Sequence, residues 1–387
     1  MFLAVRELTH ARGRFGLMGV VIALIAVLMV MLSGLSGGLV NDGVSGLKNL
    51  PVTAFAFDEG TKTDNAFSRS VVDGEQLAAW RDQSDVEAAT PIGVAIVNAV
   101  TDDGTQIDLT VFGVEEDSFL APTPSDGSGL GAPAGIVVSE TLRSEGVELG
   151  TVVTLDQTET ELEVVGFTQG QATFGHVDVA YAPLATWRLI TLGDAPAGAA
   201  PTEADLAGVD ADHASAIALQ AVPGSALASG DTDAVAAADA AAGTTTMTLV
   251  ESFNASPGYQ AETLTLAMIQ WFLYAIGALV VGAFFTVWTI QRGHELAVLR
   301  AMGASARYLV RDGLTQAGIL LVTFTAVGVA VGLGLGALMP EGMPFSLEAG
   351  PIAVASVVTI LLGLAGAAVA VLRVTRIEPV TALGGAR

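Results

Sequence analysis

The 387 residues contain no cysteine. That excludes a disulfide framework, a thiolate metal site and a cysteine nucleophile. Lysine occurs only at Lys48 and Lys62, and 16 Lys and Arg stand against 40 Asp and Glu, a formal charge of -24. So acidic a chain argues against nucleic acid as a partner, because neutralising phosphates takes clusters of Lys and Arg. The phosphate-binding pattern G-x-x-x-x-G-K-[ST] is also missing, so nothing here reads as a P-loop ATPase. What is abundant is oil: 51% of residues are hydrophobic and the mean hydropathy is +0.59. That value is too high for a soluble globular chain, while the charge is large for a purely membranous one. Two different materials share the sequence.

Four segments, residues 15–40, 264–290, 317–338 and 352–372, are apolar throughout and free of Asp, Glu, Lys, Arg and His. Each is long enough to cross a hydrocarbon core of about 30 Å, which takes about 20 helical residues. They read as transmembrane helices. The first resembles a signal peptide, with Arg6, Arg12 and Arg14 ahead of it. Its apolar run is longer than a signal h-region and no Ala-x-Ala site follows, so it is read as retained.

Charge sets the orientation. Ten of the 16 basic residues lie in residues 1–14, 291–312 and 373–387, beside only Glu7, Glu295, Asp312 and Glu378. By the positive-inside rule these segments are cytoplasmic, and with them both termini. Residues 41–262 hold six basic and 34 acidic residues and are placed outside. The expected layout is 1–40 for an N-terminal segment with span one, and 41–262 for an extracytoplasmic domain. Span two takes 263–290, a cytoplasmic coupling region 291–316, span three 317–338 and an outer loop 339–351. Span four takes 352–372 and a cytoplasmic tail 373–387.

The outer segment reads as an α+β domain. Strands are expected over 52–57, 92–100, 107–114, 135–139, 152–155, 162–167, 177–181, 216–221 and 246–250. Helices are expected over 74–81, 140–145 and 234–242, and residues 193–214 read as a loop or linker. No catalytic constellation appears. His176 and His213 are the outer histidines, and Asp210, Asp212 and His213 read as a solvated acidic loop rather than a cation site. Gly34-Leu35-Ser36-Gly37-Gly38 fits G-x-S-x-G, but at the end of a membrane helix small residues serve close helix packing. On span three, Gly328, Gly332 and Gly336 form a small-residue row, suited to packing within the protomer or to a dimer seam.

Residues 291–312 carry the most information among the soluble segments. Leu296, Leu299 and Met302 recur at helical spacing beside Arg292, Glu295 and Arg300. Gly303 is placed to end that helix in a left-handed conformation, and Ser305 to cap the next. Such a helix either lies on anionic lipid or inserts into a groove of a partner protein.

Residues 295–305, Glu-Leu-Ala-Val-Leu-Arg-Ala-Met-Gly-Ala-Ser, following span two, resemble the cytoplasmic motif of FtsX/MacB-type ABC permeases. Residues 376–383, Arg-Ile-Glu-Pro-Val-Thr-Ala-Leu, resemble the ending of that family. Residues 140–143, 150–155 and 164–167 resemble the β-rich core of its outer domain. The resemblance implies a membrane α-helical permease with four spans and a large α+β domain between the first two. It further implies a second permease copy and a separate cytoplasmic ABC ATPase in two copies, which binds the ATP. Glu295, Leu296, Leu299, Arg300, Met302 and Gly303 would then couple the permease to that ATPase. Residues 258–262, the Met-Pro repeats at 339–344 and the terminal Gly-Gly-Ala resemble the HrtB-type haem-efflux branch. The outer domain departs from that branch in its length and in the Ala/Pro-rich segment 193–214.

The branch implies haem as substrate, with no permanently bound cofactor. Haem iron accepts His, Met, Cys or Tyr, and no span holds His or Cys. Tyr259, Glu262, Met339 and Met343 fall at the outer ends of spans two and three, and so at one membrane depth. Glu262 and Met339 are the first choices as ligands, with Tyr259 and Met343 in reserve. Ordinary packing accounts equally for the methionines, and a place at the membrane interface for Glu262. Two functions stay open: a haem exporter of the plasma membrane, taking substrate from lipid, and a mechanotransmitting permease acting on lipoproteins, cell-wall hydrolases or amphipathic drugs.

Overall fold

The computed structural model describes residues 12–209, 212–293, 295, 298, 302–340 and 343–375. The chain divides into a membrane unit, Met1–Leu39 with Thr263–Arg387, and an outer domain, Val40–Glu262. Seven helices are named: α1 (Arg12–Lys48), α2 (Gly74–Arg81), α3 (Leu184–Leu192), α4 (Thr232–Ala242), α5 (Tyr259–Gln291), α6 (Ala306–Gly336) and α7 (Ala349–Thr375).

Helices α1, α5, α6 and α7 are long and apolar enough to cross a membrane. At 1.5 Å per residue the 33 residues of α5 extend roughly 50 Å, well past a hydrocarbon core of about 30 Å. A membrane offers little hydrophobic drive for helix association, so contact has to come from close packing. Small residues supply it. A Cβ on Gly328 would lie 2.3 Å from the Ala23 carbonyl oxygen of α1, and one on Gly332 2.8 Å from Val30. Gly328 and Gly332 therefore face α1 of the same chain, whereas a Cβ on Gly336 would meet Phe345 and Leu347. On the other side of the bundle, a Cβ on Gly366 of α7 would lie 2.4 Å from the Ala278 oxygen of α5. Phe15, Ile22, Val281, Phe285, Leu320 and Leu321 fill the space between these contacts.

Two expectations about α1 need correction. The helix does not stop near residue 40: it runs on to Lys48, because Val44 and Leu47 bury completely in the outer domain. Gly34, Gly37 and Gly38 therefore lie inside a helix, and they face a loop rather than another helix. A Cβ on Gly38 would fall 2.2 Å from Pro344, and the Gly34 carbonyl accepts from the Ser346 N–H at 2.9 Å.

The outer domain is built on one sheet of eleven strands. They are β1 (Ala54–Asp58), β2 (Val86–Thr101), β3 (Gln106–Val114), β4 (Asp126–Gly127), β5 (Gly135–Val138) and β6 (Val152–Leu155). The rest are β7 (Glu161–Phe167), β8 (Thr173–Phe174), β9 (Val177–Pro183), β10 (Ala216–Ala221) and β11 (Thr244–Thr248). The main path runs β11-β1-β10-β2-β3-β9-β5-β7-β4, with β6 bridging β2 and β7 and β8 pairing β9. Pairing is antiparallel except for β3 with β9 and β5 with β7. The 16-residue β2 spans both halves, pairing β10 near its start and β6 at its end.

One core centres on Phe55, Phe57, Phe67, Phe112 and Phe174, whose rings meet edge to face at 5.0–5.8 Å. Elsewhere on the sheet α3 lays Trp187 across Gly93 and Gly113, which pair directly between β2 and β3. A Cβ at Gly93 would come within 2.2 Å of the indole. Helix α2 begins with a capping box, Asp73 and Gln76 each accepting the other's backbone N–H. Residues 140–145 form a 3-10 turn rather than an α-helix. The 193–214 linker holds one short helix, Glu203–Leu206. Within that linker Asp210 lies outside the described residues. Asp212 is not simply solvated, for its carboxylate accepts from the Gly74 N–H at 2.6 Å, and the His213 ring lies against Trp187.

Candidate functional site

Three separate elements of the outer domain converge on one histidine. The first is the end of α1, where Asp42 and Gly43 precede the buried Val44. The second is the β8–β9 hairpin, whose two-residue turn is Gly175-His176. Both have positive φ, 62° and 64°, as a type I′ turn requires. Glycine adopts that conformation freely, whereas histidine there carries a cost of about 1 kcal/mol. The third is the first turn of α5, which carries Glu262.

The hairpin is fastened to α1 by several bonds. The Gly175 N–H donates to the Gly43 carbonyl at 2.9 Å, and the Thr173 N–H donates to the Ser45 hydroxyl at 2.9 Å. Gln171 donates to Asp42 at 2.9 Å and accepts from Asn41 at 3.1 Å. His176 then links the other two elements. Its Nδ1 lies 2.9 Å from Asp42 Oδ2 and its Nε2 3.0 Å from Glu262 Oε2, with a third of the side chain exposed. Partial burial disfavours the imidazolium, but the Asp42 hydrogen bond and the Glu262 charge outweigh it and raise the pKa. In the protonated form both ring nitrogens donate, one to each carboxylate.

Tyr259 begins α5, with its ring 6.1 Å from Phe253. Met339 lies three residues beyond the end of α6, its N–H donating to the Gly336 carbonyl, and Met343 is half exposed. Tyr259 and Glu262 belong to the outer domain, Met339 and Met343 to the membrane unit. The residue the structure sets against Glu262 is His176, which sequence reasoning passed over. Its partners are 134 and 86 positions away, so no local pattern could announce them. The one local signal was a Gly-His pair between two β-rich runs, the chemistry of a tight hairpin.

The cytoplasmic segment is described in part. Leu296, Leu299 and Arg300 lie outside the described residues. Arg292 pairs with Glu295 at 3.0 Å and sits over the Trp288 ring. Met302 is exposed, Gly303 has φ 97°, and the Ser305 hydroxyl accepts from the Tyr308 N–H, so the cap is where the sequence puts it.

The segment over residues 140–143 has a structural part. Arg143 pairs with Asp126 and Glu140 at 2.6 and 3.1 Å and stacks over Phe167 at 3.8 Å, tying the 3-10 turn to β4 and β7.

Four membrane-length helices with a large α+β domain after the first describe a multi-pass membrane protein with an extracellular domain. Comparison with known proteins gives it a family. Residues 17–229 match the MacB-like periplasmic core domain, and residues 267–379 match the FtsX-like permease C-terminal domain. The chain belongs to the FtsX/MacB-like permeases of ABC transport systems. Among individual relatives, a protein of Staphylococcus haemolyticus is 25% identical over 391 residues, covering 100% of this chain and 99% of that one. One from Staphylococcus epidermidis is 34% identical over 129 residues, 33% of this chain and 36% of that protein. Both carry the name "Putative hemin transport system permease protein HrtB". The periplasmic region of MacB from Actinobacillus actinomycetemcomitans aligns over 53% of this chain and 94% of its own, at 13% identity and a TM-score of 0.36. The extracellular domain of the Gram-positive transporter YknZ aligns over 51% and 98%, at 14% and 0.35.

Proposed function

We propose that this permease exports haem, taking it from the outer part of the membrane, as a pair of permease chains driven by two copies of a cytoplasmic ABC ATPase. Both termini are cytoplasmic in this reading, as the basic residues of the short segments require. The observation that carries the substrate is the end-to-end similarity to the S. haemolyticus hemin transport permease. A carboxylate in the first turn of a membrane-crossing helix supports it, since charge so near lipid is costly and marks function. Glu262 and Met339 are the proposed iron ligands, with Tyr259 and Met343 able to replace one that is lost. Mixed carboxylate and thioether ligation suits transport, because a substrate held too tightly does not leave.

ATP-driven closure of the ATPase would move the segment at 291–305, and through it α5 and α1. The test is titration of haemin into the detergent-purified full-length chain, with absorption spectra recorded. Glu262→Ala and Met339→Ala should each shift the Soret band and lower the haem tolerance of cells in parallel. An unchanged spectrum and tolerance in the double variant would remove this site. No spectral response in the native chain, together with co-purification of a lipoprotein or cell-wall hydrolase, would favour the mechanotransmitting reading instead.

A further inference from the structure

We propose that the outer domain carries a second binding site, a polar cavity beside Tyr181 that takes an uncharged sugar unit of a glycan. The cavity lies wholly within Val40–Glu262 and does not depend on the haem reading above. Its volume is about 390 Å³, inside the range of about 300–1,000 Å³ usual for small-molecule sites. Distant parts of the chain wall it. Asn49 follows α1, Pro122 and Thr123 follow β3, the β7–β8 connection adds Thr168 and Gln169, and β9 supplies Tyr181.

The phenol of Tyr181 is what marks the cavity. Tyr181 is only 5% exposed, with its ring edge-on to Phe112 at 5.6 Å. A buried tyrosine hydroxyl ordinarily finds a hydrogen-bond partner. Among the described residues this one has none, and burial alone acts on it. That burial holds the pKa above the ordinary phenol value, so the group stays protonated and can both donate and accept. Because Tyr181 borders the cavity, its free hydroxyl is left for whatever enters.

Two neighbouring side chains are already fixed. Gln171 donates to Asp42 at 2.9 Å and accepts from Asn41 at 3.1 Å. Thr168 donates to the Gly170 carbonyl at 2.8 Å and accepts from the Glu140 N–H at 3.3 Å. Groups held in this way lose little freedom when a ligand arrives. Gln169 and Thr123 stand exposed at the rim, with amide and hydroxyl open to a ligand.

The chemistry of the lining selects the class of ligand. Among the described residues no charged side chain lines the cavity, although residues 41–262 hold 34 acidic and six basic residues. A charged ligand would give up its hydration there without a counter-charge to replace it. Amides and hydroxyls offer donors and acceptors together, as sugar hydroxyls do. Pro122 and Ala172 add small apolar surfaces for the C–H face of a sugar ring. A neutral peptide would instead dock by pairing its main chain with a free strand edge. Here the main chain is spent. The Thr168 N–H donates to Val138 and its carbonyl accepts from the Ser125 hydroxyl at 2.9 Å. The Ala172 N–H donates to the Ser139 hydroxyl at 3.1 Å and its carbonyl accepts from the Val179 N–H.

The experiment uses the full-length permease in lipid nanodiscs, free of glycerol and of sugar-headed detergent, since both would compete. Saturation-transfer NMR is recorded with cellobiose, maltose and N,N′-diacetylchitobiose, and with a tripeptide blocked at both ends for comparison. At least one disaccharide should give a saturable signal that the tripeptide does not. Tyr181→Phe removes one oxygen that bonds to nothing else in the protein, so its melting temperature should stay native. Its affinity for that disaccharide should fall roughly 2–10-fold, the worth of one neutral hydrogen bond. Adding Gln169→Ala and Thr123→Val should remove the signal. The inference is overturned if none of the disaccharides binds, if the tripeptide alone binds, or if the triple variant keeps native affinity; the cavity then holds only water.

Discussion

The two units of this chain use glycine for opposite purposes. In the outer domain the glycines of interest have positive φ and end helices or turn hairpins; within the described residues every such glycine except Gly303 lies there. In the membrane helices Gly328 and Gly366 are ordinary helical residues whose missing side chain lets two backbones touch, and Gly332 makes room for the Val30 side chain. The solvents explain the contrast. Water drives apolar surfaces together, so the outer domain needs glycine only where the chain must turn. Lipid gives no such drive, so each helix contact has to be made by close approach. Gly93 and Gly113 are the exception that sharpens the rule, for they cradle Trp187 on the sheet, a membrane-like use of glycine inside a water-soluble fold.

The comparison breaks most readily at Gly328. A Cβ there would meet the Ala23 backbone oxygen, which cannot swing aside as a side chain does. Overpacking of this kind costs about 1–3 kcal/mol, and Gly328→Val should fall at the upper end. Gly334 lies on the same helix with open space around it, so Gly334→Val should change little. Thermal unfolding of the two variants in one detergent reads the difference. Equal melting temperatures would mean that α1 and α6 do not meet through glycine.

Next in size is Gly93→Ala, with an expected loss of about 1–3 kcal/mol from the collision with Trp187. Here the obstacle is a side chain, so it can be removed. Trp187→Leu on the Gly93→Ala background should cost less than it does alone, a coupling of roughly 0.5–3 kcal/mol for residues in direct contact. Strict additivity would disprove the cradle. Gly146→Ala supplies the comparison with a turn glycine: nothing stands near its Cβ, but φ is 93°. Its cost of about 1–2 kcal/mol should come from backbone strain alone and be the same with or without Trp187.

The spans could be read directly because lipid imposes length and composition on one contiguous stretch. The strands over Val152–Leu155 and Ala216–Ala221 were legible to the residue, since β-branched and apolar residues there match a buried sheet position. Strand β2 starts at Val86, six residues before the reading placed it. Its early Glu and Ala residues have weak strand preference, and pairing with β10 overrides that. The continuation of α1 was hidden for the same reason: Asn41-Asp42-Gly43 reads as a stop, and only burial of Val44 and Leu47 keeps the helix going. The short helix Glu203–Leu206 did have a signal, Thr202 with Asp205 three positions on, which form a capping box. Of the candidate site, Glu262 was visible from its place against a span, while His176 needed three distant segments to be folded together.

The smallest effect on stability belongs to the cytoplasmic segment, and there function and folding separate most cleanly. The Arg292–Glu295 pair lies three residues apart on an exposed surface, with two thirds of the Glu295 side chain in solvent. Pairs of that kind contribute about 0–1 kcal/mol, so Glu295→Lys should leave the melting temperature nearly unchanged. Leu299→Asp should likewise insert and fold, since an apolar face too short to span a membrane is not what holds the bundle together. Both should nevertheless abolish stimulation of the ATPase by the permease, together with export, if this face docks into the partner. The measurement is ATP hydrolysis by the reconstituted complex, compared with hydrolysis by the ATPase alone. A segment that merely lies on lipid predicts a different ranking: Leu299→Asp would weaken membrane adhesion, while Glu295→Lys, which adds positive charge, would strengthen contact with anionic lipid and spare coupling. Loss of coupling in Glu295→Lys with an unchanged melting temperature is therefore the result that only protein docking explains.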